Sequence, residues 1–476
     1  MGRLDNVRTS KFFLRCSRAA QPQRSRHRWS RNGLTLRAYS FPRHLGRYDV
    51  ALIVVGSVVG SGIFRTPAVV AQRLPVAGLV IAAWLAGGIV ALCGAFVLGE
   101  LGARLPKGCG PYAYLSDAFH PFVGFAYGWT GLLASFSGGI AAAAVLFAGY
   151  FLSLTGLAFV PSIVAAVALA ALSVVNAFGV RAGNRLQRAL TVLKIVALLA
   201  IVAAGIFAHP AAPSTPGAPA SMPAWPGALG IAMIPILFSY NGAMVANFMA
   251  AETKDVARAL PIGLILGMTC VTILYVLVNA SCVRVLGING LAETPVPASS
   301  VLFAWAGPFG SRIASLVVAI VTLAFIGNRV LTVPRLYQAM AQDGLFFRHV
   351  ARIDPRTHAP VVAIAVQGVV AMLIVLWGNY DQILSYVVFT FYAFNGLLAL
   401  ALFVLRARDR VAVSSGGFRV PGHPVSTAIY LVASWGVAIA ACVADPRDGL
   451  VGVAILLSAI PVYFLWARRG TPVAAS

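Results

Sequence analysis

Charged side chains are scarce in this sequence, and acidic ones are scarcer still. Only 10% of the 476 residues are charged, and 13 Asp and Glu stand against 36 Lys and Arg. Soluble globular domains have about a quarter of their residues charged, so that class is excluded. An apolar share of 59% and a mean hydropathy of +0.86 exclude an intrinsically disordered chain, which needs low hydrophobicity.

Motifs of metal, redox and enzyme chemistry are missing too. The six cysteines form no Cys-x-x-Cys pair, and neither His-Glu-x-x-His nor Gly-x-Ser-x-Gly occurs. We therefore predict no metal site, no cofactor and no enzymatic activity. The repeated polar rings of a channel are not evident. A sensor with a transporter fold remains a remote alternative, although such sensors usually carry a soluble signalling domain.

Long stretches of the chain carry no charge at all. Residues 118–180 and 195–251 contain no Asp, Glu, Lys or Arg. Because about 20 apolar residues cross a bilayer, each stretch can hold two spans. The alternating ten-residue segments of a β-barrel are not seen. The sequence predicts an all-α polytopic membrane protein with twelve spans, at about 48–72, 77–103, 119–149, 159–178, 185–208, 228–251, 259–283, 313–341, 360–378, 380–405, 425–444 and 449–467.

Positive charge is concentrated on one side of these spans. Twelve of the 36 Lys and Arg lie in residues 1–47. With that tail in the cytoplasm, 29 of the 36 fall on the cytoplasmic side and four on the other. Cytoplasmic loops are enriched in Lys and Arg, so both termini are predicted to be cytoplasmic. The lipid bilayer accounts for the net charge of +23 without a nucleic-acid partner.

Two spans contain residues that interrupt a helix. The first has Gly60-Ser61-Gly62 near its middle, and the sixth has Pro235 followed by Asn241-Gly242. Paired breaks five spans apart indicate an inverted-repeat transporter. The amides of an opened helix can bind a carboxylate and its carbonyls an ammonium, which are the two charged groups of an α-amino acid. Close helix packing by small residues is the alternative role of these glycines.

Five ordered motifs extend this interpretation along the chain. They are Gly60-Ser61-Gly62-Ile63-Phe64, Gly110-Pro111-Tyr112-Ala113-Tyr114, Leu193-Lys194-Ile195, Phe238 to Gly242 followed by Glu252, and Arg335 followed by Met340 to Phe346. Across about 46–405 the chain resembles the amino acid–polyamine–organocation superfamily, as a prokaryotic permease similar to the L-type amino acid transporters. The resemblance implies a LeuT-type fold of five plus five inverted helices with two further C-terminal helices, in the bacterial inner membrane.

The expected organisation has seven segments. They are a basic cytoplasmic tail at 1–46, expected to be disordered, a first five-helix repeat at 47–208, a Pro/Ala-rich extracytoplasmic loop at 209–226, a second, inverted repeat at 227–406, a cytoplasmic loop at 407–424, helices 11 and 12 at 425–469, and a tail at 470–476.

The resemblance also implies a substrate site at the two breaks. The substrate carboxylate would bind amides of the run Gly60-Ser61-Gly62-Ile63, and its ammonium would bind carbonyls near Val58, Phe238, Ser239 and Asn241. Phe238 would close over the substrate as an aromatic gate. Many relatives have a second glycine or an acidic residue, and a Trp, after the tyrosine that precedes Asn241, so the resemblance leaves the side-chain specificity open.

The sequence favours amino acids with neutral side chains, because no acidic residue lies mid-span to attract a cation. A polyamine or other organic amine is the alternative cargo. Mammalian relatives have a cysteine between helices three and four that links a glycoprotein subunit. The loop from Gly149 to Pro161 has no cysteine, so no disulfide-linked heavy subunit is expected.

Lys194 is the deepest charge in the fifth predicted span, and no further charge follows it until Glu252. The lysine lies about 9 Å beyond Arg188 along a helix that rises 1.5 Å per residue. An ionisable group inside a span is costly and indicates function, although a lysine can also extend to the interface. In the resembling family a lysine here contacts the broken first helix, where related carriers hold sodium. A sodium-independent carrier is predicted, and both obligatory exchange and proton symport through Lys194 stay open.

Several other charges are candidates for a gate. Glu100, Glu252 and Arg335 lie at the predicted cytoplasmic ends of spans two, six and eight, where ion pairs could close one side of the carrier. Ordinary interfacial charges are the alternative. Arg65 and Arg329 lie within apolar runs, and either could bind an anionic substrate group or pair with a glutamate.

Overall fold

The computed structural model describes residues 43–469 apart from 61, 107–108, 179, 210–224, 295, 358, 378–379, 409–416 and 445. The predicted tail up to residue 42, most of the loop 209–226 and Ser61 therefore lie outside the described residues. The described part is helical, and the one β-bridge within it joins Leu45 and Thr253.

Sixteen α-helices follow one another along the described chain. They are α1 (Arg47–Val58), α2 (Gly62–Arg73), α3 (Ala77–Arg104), α4 (Pro111–Ala118), α5 (Pro121–Thr130), α6 (Phe136–Thr155), α7 (Pro161–Ala177), α8 (Val180–Phe207), α9 (Trp225–Ser239), α10 (Val256–Glu293), α11 (Pro297–Thr332), α12 (Pro334–Gln342), α13 (Val361–Trp377), α14 (Tyr380–Arg408), α15 (Val425–Ala444) and α16 (Pro446–Arg469).

The helices of the described part are long and apolar enough for a membrane protein. Nine of them, some continuous across a bend, could cross a membrane by length and composition, and the bent pair α1–α2 would make ten. Two shorter apolar helices, Pro161–Ala177 and Val361–Leu376, fall just below that length. The chain is thus a polytopic all-α membrane protein.

Two groups of helices pack closely within themselves. In one group α10 lies against α3 and against α1, and α9 lies against α2. In the other group α11 packs on α6 and α8, and α13 packs on α6 and α7. The two broken spans belong to the first group, so they face a wall made by the second.

The first span is broken as its glycines predict. α1 ends at Val58, Val59 has an extended backbone, and α2 begins at Gly62. The axes of the two halves differ by 54°. A helix end leaves its last four carbonyl groups without partners from the helix itself, so this break needs donors from elsewhere.

The sixth span changes its type of helix at the break. α9 ends at Ser239, and Gly242 has φ +138°, which only glycine adopts without strain. The chain then continues as a 3₁₀-helix at Ala243–Glu252. Runs of 3₁₀-helix longer than three or four residues are uncommon and often mark a hinge or strain, so ten residues is a notable length.

Spans seven and eight are longer than the sequence predicts. α10 continues to Glu293 past a bend at Gly287, and α11 begins at Pro297, with a second bend at Gly307. Both glycines have positive φ, at +66° and +58°. The predicted spans at 259–283 and 313–341 therefore cover only the straight parts of these helices. A π-helical turn at Gly131–Ser135 interrupts the third span between α5 and α6.

Candidate functional site

A cavity lies between the two broken spans and a facing wall of other helices. Six residues of the predicted substrate site line it: Val58, Gly60, Gly62, Phe238, Ser239 and Asn241. The facing wall comes from the π-helical turn and α6, from α11 and from α14. Ile63, also predicted for this site, is 1% exposed and packs in the hydrophobic core instead of lining the cavity.

Donors from other helices satisfy the carbonyl groups at the end of α1. The Lys194 ammonium donates to the carbonyls of Gly56 and Val59, at 2.9 and 2.5 Å. The Arg329 guanidinium donates to the Ser57 carbonyl at 3.5 Å. The Tyr275 hydroxyl lies 3.2 Å from the Val58 carbonyl. All four terminal carbonyls therefore have a partner, and two of the three donors are cations.

Lys194 is completely buried, and its ammonium lies within the protein rather than at a membrane interface. It reaches the break from α8, which packs against α1 and α11. The C-terminal end of a helix carries a partial negative charge, which a cation stabilises. The lysine thus supplies donors to two of the carbonyl groups that the end of the opened helix leaves without partners.

Tyr275 connects the two breaks. Its hydroxyl lies 3.2 Å from the Val58 carbonyl of the first break and 3.2 Å from the Ser239 carbonyl of the second. Ser57 makes a similar connection, because its hydroxyl donates to the Gly242 carbonyl at 3.0 Å. The Ser239 hydroxyl lies 3.0 Å from that of Thr66 on α2. Hydrogen bonds thereby join the two interrupted segments to each other.

Arg329 is the charged side chain in the cavity wall. It is 5% exposed, and its guanidinium carbon lies 5.0 Å from the ring centre of Phe325 and 5.8 Å from that of Phe136. The sequence left its role open between an anionic ligand and a gate. Arg65, the other arginine in an apolar run, is exposed on α2 and does not line the cavity.

The predicted gate residues lie at one end of the bundle but form two separate clusters. Glu252 and Arg335 make an ion pair at 2.5 Å, and each side chain is 4% exposed. Glu100 instead pairs with Arg104 and Arg406, and its carboxylate accepts the Val420 amide at 2.7 Å. The structure therefore brings Glu252 to Arg335 and places Glu100 with α14 and the loop before α15.

Two features reinforce the Glu252 cluster. The Glu252 carbonyl accepts the amides of His44 and Leu45, at 2.9 and 3.1 Å, so the segment before α1 is fastened to the end of the 3₁₀-helix. The Cys109 thiol, in the loop between α3 and α4, donates to the Arg335 carbonyl at 3.3 Å. Burial raises the pKa of this thiol to about 12, which keeps it protonated.

Sequence reasoning missed Tyr275, Phe325 and the π-helical turn. Tyr275 lies in a long apolar helix. The signal available in the sequence was that a buried phenol hydroxyl needs a hydrogen-bond partner. Ser135 of the π-helical turn lines the cavity. π-helical turns are frequent at functional sites, but the sequence Gly-Leu-Leu-Ala-Ser contains no feature that predicts one.

Comparison with known proteins finds relatives of one kind, and the matches cover most of the chain. Residues 45–466 match the family model described as amino acid permease. The serine/threonine exchanger SteT of Bacillus subtilis is 25% identical over 90% of this chain and 97% of its own. The human b(0,+)-type amino acid transporter 1 is 27% identical over 77% of each chain.

The mouse Asc-type amino acid transporter 1 is likewise 27% identical, over 89% of this chain and 81% of its own. These relatives are amino acid transporters or exchangers by name, and the family match spans both breaks, the fifth span and the cavity walls. The chain belongs to the amino acid permease family, within the amino acid–polyamine–organocation superfamily, and is an amino acid transporter.

Proposed function

We propose that this protein is a sodium-independent exchanger of α-amino acids that works by alternating access. The observation that carries the proposal is the Lys194 ammonium on the carbonyls of Gly56 and Val59. The same lysine is the residue that the resemblance associates with a sodium position. A cation that belongs to the chain makes a dissolved one unnecessary there.

The α-amino acid head group fits the polarity of the two breaks. We place the substrate carboxylate at the amides of α2, whose first residue is Gly62, because a helix N-terminus attracts anions. We place the ammonium at carbonyls near Ser239 and Asn241 in the second break. Gly60, Gly62, Ser239 and Asn241 all line the same cavity, which supports one site that binds both groups.

Alternating access requires two bodies that move against each other. We propose that the group containing α1, α2, α3, α9 and α10 moves against the group containing α6, α7, α11 and α13. The close packing inside each group supports this division. The ion pair of Glu252 and Arg335 joins the end of the 3₁₀-helix to α12 and would hold one end of the pathway closed.

The topology proposed here has twelve spans with both termini in the cytoplasm of a bacterium. Nine long apolar helices, the bent pair α1–α2 and the two shorter apolar helices support this number. The division into two inverted five-helix repeats, 47–208 and 227–406, is part of the same proposal. No disulfide-linked subunit is proposed, because the loop 156–160 between α6 and α7 has no cysteine.

Exchange is preferred to proton symport for two reasons. Lys194 has carbonyl partners and no described carboxylate beside it, so a ready proton acceptor for a relay is not apparent among the described residues. The serine/threonine exchanger SteT matches 97% of its own length to this chain. Amines are disfavoured as cargo, because Arg329 in the cavity wall repels a polycation.

Counterflow in proteoliposomes tests this function. Purified protein in vesicles loaded with an unlabelled amino acid mixture should take up a labelled mixture, and empty vesicles should not. Replacement of sodium by choline should leave the rate unchanged. Lys194→Ala should abolish exchange, whereas Arg188→Gln, which removes an exposed charge on the same helix together with its ion pair to Asp49, should retain it.

Each other outcome has a definite meaning. Uptake into empty vesicles driven by an inward proton gradient would replace exchange by proton symport. Stimulation by sodium would refute the role given to Lys194. Uptake of putrescine or another amine without uptake of any amino acid would overturn the proposed substrate.

A further inference from the structure

Arg329 has hydrogen-bonding capacity that the protein does not use. A guanidinium carries five N–H donors in one plane. The described contacts of Arg329 include one hydrogen bond, to the Ser57 carbonyl, and at 3.5 Å it is long. The Nε–H group is buried and has no partner. A buried arginine with so few acceptors is costly unless another group accepts hydrogen bonds from its remaining N–H donors.

The aromatic neighbours of Arg329 stabilise its charge but accept none of its N–H groups in the plane. Phe325 lies one helical turn before it on α11, and Phe136 approaches from α6. Ring faces attract the cation electrostatically and fix the orientation of its plane. The edge of the guanidinium stays available for a planar acceptor such as a carboxylate, which pairs with arginine through two parallel hydrogen bonds.

No acidic side chain among the described residues is within salt-bridge distance of Arg329. The two buried carboxylates, Glu100 and Glu252, are paired with other arginines at one end of the bundle. None of the residues that line the cavity is acidic. The missing anion is therefore expected from a molecule that enters the cavity.

The position of Arg329 separates this anion from the substrate's α-carboxylate. Arg329 contacts Ser57, on the α1 side of the break, whereas the amides proposed for the α-carboxylate begin at Gly62 on the α2 side. Both points face one cavity. A ligand that serves both carries two anionic groups and one ammonium.

We propose that Arg329 binds a carboxylate on the substrate's side chain, so that the protein exchanges acidic amino acids of the aspartate and glutamate type. This inference rests on the proposed function, because it assigns the side chain of the same substrate. It also revises the preference for neutral side chains. That preference came from the lack of a mid-span acid, which argues against cationic cargo and does not address anionic cargo.

Competition in counterflow tests the assignment directly. Wild-type vesicles loaded with glutamate should take up labelled glutamate, and unlabelled glutamate or aspartate should compete at least tenfold better than glutamine or asparagine. Arg329→Gln should reverse this order, with a change in the glutamate-to-glutamine ratio of roughly 100-fold, because a buried charge pair loses one partner. Arg329→Lys should keep the preference for glutamate in weakened form.

The matched control is Arg312→Gln, which removes one positive charge from an exposed position on the same helix. It should leave the ratio unchanged. The ratio is measured within each variant, so a lower amount of folded protein does not affect it. Glutamate should also raise the thermal unfolding temperature of the detergent-purified wild type, and should not do so for Arg329→Gln.

The two proposals fail in different ways. If wild-type vesicles exchange neutral amino acids and glutamate competes no better than glutamine, the role of Arg329 is refuted and the exchanger stands. An unchanged ratio in Arg329→Gln refutes it as well. If no amino acid of any class is exchanged by folded wild-type protein, the proposed function itself is refuted.

Discussion

Arg335 and Glu252 form a buried ion pair, at 2.5 Å, between α12 and the end of the 3₁₀-helix. The pair joins the end of a broken span to α12, which packs on α13 of the opposite group. Each partner is 4% exposed, so removal of one leaves a buried charge without compensation. An unpaired buried charge typically costs about 3–5 kcal/mol of stability. The carrier can avoid this cost by opening at that end, where water then solvates the charge.

Glu252→Gln should therefore expose the neighbouring Cys109 to solvent. The thiol is buried, and its pKa is raised from the ordinary 9.0 to about 12. At pH 8 a pKa of about 12 leaves about 0.01% reactive thiolate, whereas a pKa of 9 gives about 10%. With Cys109 as the sole cysteine, N-ethylmaleimide should label Glu252→Gln at least about tenfold faster than the parent.

Asp255→Asn is the control for this labelling, because it removes an exposed acid three residues further along the chain. Its labelling rate should equal that of the parent. Labelling of the parent should rise steeply with pH up to about 12, because the raised pKa keeps the thiol neutral below that range. Equal rates in Glu252→Gln and the parent would show that the pair does not hold this end closed.

Gly242 should tolerate no side chain. Its φ of +138° excludes other residues, and an added Cβ would lie 2.5 Å from the Ser57 carbonyl oxygen. Gly242→Ala should cost about 3 kcal/mol or more of stability, through backbone strain and the clash, and should abolish exchange. Gly230→Ala in the same span meets no atom within 4 Å and should keep full activity. Thermal unfolding and counterflow of both variants measure the difference.

Tyr275→Phe should weaken substrate binding without unfolding the protein. The lost hydroxyl lies 3.2 Å from both the Val58 and the Ser239 carbonyl, so the two breaks lose a shared donor. We expect the apparent KM for exchange to rise about tenfold, the effect of one lost hydrogen bond at a buried acceptor. Tyr240→Phe, whose hydroxyl donates to the Trp84 carbonyl, is the matched control. An equal change in both variants would argue for general loosening.

Much of this site could be predicted from sequence, because a helix break inside a membrane requires glycine or polar residues, which are conspicuous in an apolar span. Gly60, Gly62 and the pair Asn241-Gly242 stand out in apolar spans, and the structure places the breaks there. Lys194 stands out as the last charge before the charge-free stretch 195–251, and it contacts the end of α1. In each case one residue type is costly in lipid unless a local structure accommodates it.

Other parts depend on relations that one sequence does not contain. Glu100 pairs with Arg104 on its own helix and with Arg406, 306 positions away, rather than with Arg335. The direction of Arg329 into the cavity depends on the rotation of α11 and on the side chains packed around it. The ten-residue 3₁₀-helix after Gly242 is rich in Ala and Met, which favour an ordinary α-helix. Tertiary packing decided these features.

The lysine at the first break also limits what the carrier can accomplish energetically. Lys194 is covalently part of α8, so in the proposed exchange its ammonium group stays with the protein in every conformation and no sodium ion is released on either side. An exchanger built this way draws no work from a sodium gradient. At equilibrium, the concentration ratio of one amino acid across the membrane equals that of its counterpart. Such a protein can alter the composition of the cell's amino acid pool, but the size of that pool must be maintained by another process.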